Sequence, residues 1–206
     1  MNRDHKALRT ERLVLCPAPL PGSSFWPFWN AHRSDPIVST MAWGGTTPPI
    51  SDEELKERAI KQNRLFNERG HGIFGVAWSS SQKNEGVEIR NHDDWLDHFR
   101  ARTTERRDYD PVPGAIELLY SFIPAVWGKG SSRNISSFDL MSKGVAGEAV
   151  KCVIDHGLRV AKLEKITAAV LPNNSASLNV LTKAGLTNRG NLYGYAPEDV
   201  FYEISH

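Results

Sequence analysis

An α+β protein with one mixed sheet and helices packed on it is the fold class this sequence predicts, on three observations. Short apolar runs of strand length recur, each closed by proline: Arg12-Leu13-Val14-Leu15-Cys16 before Pro17, Ala115 to Ile123 before Pro124, and Ile166 to Leu171 before Pro172. A segment of helical period lies between the last two, with Ala146, Ala149, Val150, Val153, Ile154 and Gly157 on one helix face. The C-terminal half then reads strand, glycine loop, helix, strand, helix, strand, an order suited to helices laid on a sheet.

Taken in order, the first strand places Leu13 and Leu15 on one face. The aromatic stretch Ser24-Phe25-Trp26-Pro27-Phe28-Trp29 follows, and Pro27 fits only near a helix start, so a short helix capped by Ser23 or Ser24 is expected there. Trp43 to Pro49 has loop chemistry. Ser51-Asp52-Glu53-Glu54 is a capping box, in which Ser51 and Glu54 can satisfy each other's orphan backbone donors. The helix behind it runs to about Arg69, buries Leu55, Ala59 and Phe66, and stops at Gly70, a residue suited to a left-handed cap. Gly72 to Trp78 reads as a strand with glycine at close contacts. Gly86 to Arg90 reads as a further strand, and Asp93 to Arg102 as a short helix with Trp95, Leu96 and Phe99 inward. The charged run Arg102 to Asp110 belongs to an exposed insertion spanning about 79–113. Ile166 to Leu171 is mostly apolar, as a central strand is. Asn174 caps a helix through Leu181 to Lys183, stopped by Gly185, and Val200, Tyr202 and Ile204 alternate in a final strand.

Composition narrows the function classes. Lys and Arg number 25 against 24 Asp and Glu, a formal charge of +1, whereas nucleic-acid modules want a clear basic excess. No apolar run approaches the roughly 20 residues of a membrane span. The charged start, Met1 to Lys6, leads into no apolar segment, so no signal peptide is expected. Two cysteines, Cys16 and Cys152, make no disulfide framework and suit a reducing cytosol. A chain of 206 residues buries enough surface to need no staple. It is expected to form one domain over 1–206, with no nucleic-acid or membrane partner, in the cytoplasm.

The chemistry concentrates around two Lys-Gly pairs. Trp127-Gly128-Lys129-Gly130 follows a strand, and Ser142-Lys143-Gly144-Val145-Ala146 opens the next helix. Glycines let backbone N–H groups approach phosphate oxygens, and a helix N-terminus adds partial positive charge at the same place. A solvated turn is the bland reading of either pair.

The strand Glu117 to Pro124, the Trp-Gly-Lys-Gly loop and the Glu148-Ala149 helix resemble the GNAT superfamily of N-acetyltransferases. So do Pro172-Asn173-Asn174-Ser175-Ala176-Ser177 and Leu181-Thr182-Lys183-Ala184-Gly185-Leu186. Leu8 to Leu15 and Met41-Ala42-Trp43-Gly44 are similar to its branch of ribosomal-protein-alanine acetyltransferases and their small-molecule relatives. The likeness covers most of the chain outside about 79–113. It implies a mixed, mostly antiparallel central sheet flanked by helices, acetyl-CoA as donor, and a primary amine of a small molecule or peptide N-terminus as acceptor, with no metal. It further implies that backbone at Phe122 and Ile123 pairs with the pantetheine arm, that a glycine loop holds the pyrophosphate, and that Asn174 bonds the pantetheine. Ser177 would sit near the sulfur and help protonate the leaving thiolate.

Three departures stand out. The superfamily's loop runs straight into its helix, whereas here 131–143 intervenes as an insertion. The cradle is read as Lys143-Gly144-Val145-Ala146, which joins the helix directly, with Gly130 as the alternative start. A tyrosine that many relatives carry is Leu181 here, which favours Ser177 or a water as acid. The third strand is barely legible. A GNAT fold with a lost or altered donor site, working as a CoA-independent enzyme or binding protein, is the second reading these departures motivate.

Glu117 matches a glutamate common in this strand of the branch, and can act as general base through water or stand as a hydrogen-bonded strand residue. Tyr120 and Trp43 are the candidate walls of an acceptor pocket, while Trp26 and Trp29 read as core. His92, Asp94, Asp97 and His98 are metal-ligand types, but in a charged segment without a second group they read as a solvated helix face. Both cysteines read as inert core thiols.

Overall fold

A computed structural model describes residues 7–17, 21–22, 25–37, 40, 48, 50–79, 95–103, 115–122, 144–191 and 200–206. Residues 1–99 with 120–145 gather in one unit, and residues 100–119 with 146–206 in another.

In the first unit β1 (Leu8–Arg9) and β2 (Leu13–Pro17) form a tight antiparallel hairpin, with Leu8 opposite Leu15. Thr10 closes it twice: its N–H donates to the Leu13 carbonyl at 3.0 Å and its Oγ1 accepts from the Leu13 N–H at 3.0 Å. β2 pairs antiparallel with β3 (Ile73–Trp78), from Leu13 opposite Trp78 to Pro17 opposite Phe74. Leu13, Val14 and Leu15 are all buried, so β2 is covered on both faces rather than on the one that alternation suggests.

α1 (Phe25–Ser34) carries Pro27 in its first turn, where its missing N–H costs nothing; the expected caps Ser23 and Ser24 lie outside the described residues. Trp26 and Trp29 are core, clustered with Ile50, Leu55, Ala59 and Ala77. Asn30 imitates a backbone partner, donating to the Ile50 carbonyl at 3.1 Å and accepting from the Ile50 N–H at 2.8 Å. That pair pins the entry of α2 (Asp52–Arg69) to α1. Ser51 caps α2 by accepting from the Glu54 N–H at 3.2 Å, while the Glu54 carboxylate turns to Arg58 instead of closing the box. Gly70 ends the helix at φ 77° with its N–H on the Phe66 carbonyl, and Phe66 meets Phe74 edge to face at 5.0 Å.

β4 (Trp95–Thr103) corrects the expectation of a helix over Asp93 to Arg102. Trp95 and Phe99 stand four apart, a spacing that returns to the same face in a helix and in a strand alike, so that pair did not discriminate, and Leu96 next to Trp95 weighed toward a helix. The expected strand Gly86 to Arg90, the loop Trp43 to Pro49 apart from Pro48, and the remainder of the charged run beyond Thr103 lie outside the described residues. So do the metal-type residues His92 and Asp94, while Asp97 and His98 fall in β4.

The second unit is built around β6 (Lys165–Val170), which pairs parallel with β5 (Ala115–Phe122) and antiparallel with β8 (Val200–Ser205), itself antiparallel to β7 (Thr187–Gly190). α3 (Val145–Arg159) connects β5 to β6, and α4 (Ser175–Lys183) follows β6. Mixed and antiparallel sheets with helices against them are the α+β class expected. The α3 face is the one read from the sequence: Ala149, Val150, Val153 and Ile154 are buried. At Gly157 the helix comes so close to β6 that an added Cβ would stand 2.8 Å from Ile166 Cδ1 and 3.2 Å from Leu163 Cδ1. Gly157→Leu is therefore expected to overpack this contact and lower stability by about 1–3 kcal/mol, read as an earlier denaturation midpoint with an unchanged m-value.

On the outer strands the Glu203 carboxylate takes Arg189 Nη2 at 2.7 Å and Lys165 Nζ at 3.4 Å, tying β7, β8 and β6 together. No helix among the described residues is long and apolar enough to cross a membrane.

Candidate functional site

The parallel ladder between β5 and β6 is short. It pairs Ala115 with Lys165, Ile116 with Ile166 and Glu117 with Thr167, and stops there, although β6 continues to Val170 and β5 to Phe122. β6 keeps its bonds to β8 along its whole length, down to Val170 opposite Val200. A fork therefore opens beyond Glu117 and Thr167, at the carboxyl ends of the two parallel strands. Open α/β sheets bind ligands at such ends. There a backbone edge offers unspent donors and acceptors to an extended molecule.

Topology brings two helix starts to the same end. Because β5 and β6 are parallel, α3 must run back along them, and Gly157 beside Ile166 fixes its C-terminal end next to the beginning of β6. Its N-terminus thus returns toward the end where the fork opens. α4 begins there directly: the Asn174 N–H donates to the Leu171 carbonyl at 2.9 Å, closing the turn through Pro172 that follows β6. Asn174 then caps α4, its Oδ1 accepting from the Ser177 N–H at 3.1 Å. The carboxamide NH₂ is the donor Asn174 can offer a ligand, while Oδ1 serves the cap. Ser177 is half-buried in the first helical turn.

Glu117 is 9% exposed and Thr167 opposite it 4% exposed, two buried polar residues side by side at the base of the fork. Glu117, Asn174 and Ser177 all belong to the second unit, as does Ala146 in the first turn of α3. Leu181, where many relatives carry tyrosine, is fully buried and packs in the core. Tyr120, half-buried in β5, belongs to the first unit with Gly144 and Val145. Gly144 stands immediately before α3 at φ 74°, a left-handed conformation, and a Cβ there would meet nothing within 4 Å. Gly147, one turn on, also faces open space. Phe122 is the last residue of β5; Trp43, Ile123, Gly130 and Lys143 lie outside the described residues. Thr167 went unnoticed in the sequence, where it is one hydroxyl inside an apolar strand.

Neither cysteine is activated. Burial pushes the Cys16 thiol up, against the opposing pull of Arg9. Burial also raises Cys152, with the Asp155 and Glu148 carboxylates adding to the effect. Both stay protonated at neutral pH and are poor nucleophiles.

Residues 135–187 match the family model described as an acetyltransferase (GNAT) domain. Nearly the whole chain overlays on the solved acetyltransferase of the GNAT family from Bacillus anthracis, with TM-score 0.61 and 18% identity, covering 97% of this chain and 98% of that one. This chain carries the GNAT fold. RimL, a ribosomal-protein alpha-N-acetyltransferase solved in complex with coenzyme A, shares the GNAT fold at TM-score 0.59 and 13% identity, over 97% of this chain and 98% of its own. A curated relative, Probable N-acetyltransferase YjcK of Bacillus subtilis, is 44% identical over 48 residues, 23% of this chain and 26% of its own length. The GNAT family match includes Lys143 and Gly144 and begins after Gly130.

Proposed function

We propose that the protein transfers an acetyl group from acetyl-CoA to a primary amine, of a small molecule or a peptide N-terminus. The observation that carries this reading is the β5–β6 ladder ending at Glu117 and Thr167, with the starts of α3 and α4 directed to the opening. A pantetheine arm fits the strand edge at Leu118 and Leu119, which the β6 ladder does not pair, and the Asn174 NH₂ suits one of its carbonyls. The pyrophosphate suits the N-terminus of α3, where the left-handed Gly144 and the side-chain-free Gly147 leave backbone N–H groups accessible. The family match that begins after Gly130 supports Lys143-Gly144-Val145-Ala146 as the cradle. Trp43 and Tyr120 are proposed for the acceptor pocket. The whole chain, 1–206, is proposed to act as one acyltransferase domain in the cytoplasm.

The acceptor's ammonium has three N–H protons, of which the reaction removes two. The ammonium form of the acceptor loses one proton, which Glu117 takes through a water. The free amine attacks the thioester carbonyl, and the C–S bond breaks as the tetrahedral adduct collapses. The thiolate takes a second proton from the nitrogen by way of Ser177 or a water, and the amide keeps the third.

Calorimetry with acetyl-CoA tests donor binding, and released thiol with a panel of alanine-initiated peptides, polyamines and aminoglycosides tests transfer. Micromolar donor binding with turnover on any of them supports the reading. Absence of heat and of a thermal shift with acetyl-CoA would leave only a repurposed GNAT fold.

Ser177→Ala separates an acid from a helix residue. A hydroxyl that donates to the departing sulfur strengthens the transition state more than the bound donor, so kcat should fall roughly 10- to 100-fold while donor affinity stays within a few-fold. If Ser177 serves only the first turn of α4, the melting temperature drops slightly and turnover persists.

A further inference from the structure

The last turn of α3 ends on carbonyls that a helix cannot satisfy by itself. Two of them find backbone partners just beyond. The His156 carbonyl accepts from the N–H groups of Val160 and Ala161, both at 2.9 Å, and the Gly157 carbonyl from that of Leu163 at 3.0 Å. The Leu158 carbonyl is met from far along the chain: His206 Nε2 lies 2.9 Å from it, across 48 positions of sequence. A carbonyl oxygen only accepts, so Nε2 carries the hydrogen of that bond, in the neutral ring as in the imidazolium. The backbone brings the two together. His206 follows β8, where Tyr202 and Ile204 stand opposite Ala168 and Ile166, and Gly157 approaches that same face at Ile166. The turn that α3 enters next holds Lys162 at φ 57°, a left-handed conformation that a side chain disfavours. Arg159, Val160 and Lys162 are exposed. An exposed turn around a strained residue is where a native structure opens locally.

We infer that His206 is a strap: its ring fastens the end of β8 to the last turn of α3 and governs local opening of the turn 160–164 that leads into β6. The inference stands apart from the acetyl-transfer reading, since it needs neither donor nor acceptor. With the strap closed, the ring caps the Leu158 carbonyl and the bonds to the His156 and Gly157 carbonyls hold. With it open, the ring turns into water and those bonds fray together. The body of α3 stays folded meanwhile, because Ala149, Val150, Val153 and Ile154 are buried. A positively polarised donor is also the group that the negative end of a helix favours.

His206→Ala removes the donor, while His206→Gln keeps an Nε2–H at similar reach. Amide hydrogen exchange on the native chain and both variants reads the opening. In the alanine variant the Val160, Ala161 and Leu163 amides are expected to exchange about 2- to 10-fold faster, the scale on which one hydrogen bond shifts an opening equilibrium. Trypsin cleavage after Arg159 and Lys162 should rise by the same factor, since it follows the open population. The glutamine variant should restore most of the protection. The amides of Ala184 and Leu186, whose bonds close the end of α4, should keep their native rates. In the native chain, nitrogen chemical shifts of the neutral His206 ring should place its hydrogen on Nε2. Unchanged exchange at the three turn amides in His206→Ala overturns the inference. So does equal acceleration in the alanine and glutamine variants, or a hydrogen found on Nδ1 alone. A rise spread equally over the turns after α3 and after α4 would mark a general loss of stability and overturn it as well.

Discussion

Glu117→Gln is expected to cut kcat by about 100- to 1,000-fold, within the range a positioned general base supplies. The amide keeps the size of the side chain at a site where the residue is 9% exposed, so packing on β5 is retained while the proton acceptor is lost. Donor affinity, measured by calorimetry, should be unchanged, because in the proposed role the carboxylate acts on the amine rather than on coenzyme A. The strand-residue alternative has the opposite signature. A glutamate that only satisfies buried donors would give a lower melting temperature when converted to an amide, with turnover close to native. Measuring kcat, donor Kd and melting temperature on one variant therefore decides between the two readings.

Gly144→Asp should weaken acetyl-CoA binding at least tenfold, by far more than Gly130→Asp. Two effects add at Gly144. Its φ of 74° is a conformation a β-carbon disfavours, at a cost of about 1 kcal/mol. The carboxylate would also stand beside the backbone donors proposed to face the pyrophosphate. Because a Cβ at Gly144 meets no neighbour within 4 Å, Gly144→Ala carries the backbone cost without a clash, and serves as the control for it. A large loss with aspartate and a small one with alanine assigns the effect to charge at the cradle. Equal losses at Gly144 and Gly130, or a larger loss at Gly130, would move the cradle to the other Lys-Gly pair.

The elements around the fork were legible because each carries a local device. α3 repeats its apolar residues at helical spacing, α4 has Asn174 at its cap and Gly185 beyond its end, and β5 and β6 are apolar runs closed by proline. Ser51 and Gly70 marked α2 in the same way. β1 and β7 carry no such signal. β1 has two residues, and Thr187 to Gly190 are exposed throughout, so neither shows alternation. β4 was misread because Trp95 and Phe99 fit both periods and Leu96 beside them fits a helix. Within the candidate site, Asn174 and Ser177 were visible through the resemblance and their place at a helix start. That Thr167 stands opposite Glu117 was not visible, a register that local sequence does not encode.

The ladder that ends early also sets where the second unit yields. β6 is held by six register pairs on its β8 side and by three on its β5 side. Amide hydrogen exchange should therefore be slowest along β6 and β8, and faster at Leu118 and Leu119, whose neighbours in β6 are absent from the ladder. A donor lying along that edge supplies the bonds the strand lacks. It should protect those amides and raise the apparent stability of the chain in proportion to its occupancy. Substrate and sheet would then be parts of one cooperative structure, with catalysis placed on the seam where the protein alone is weakest.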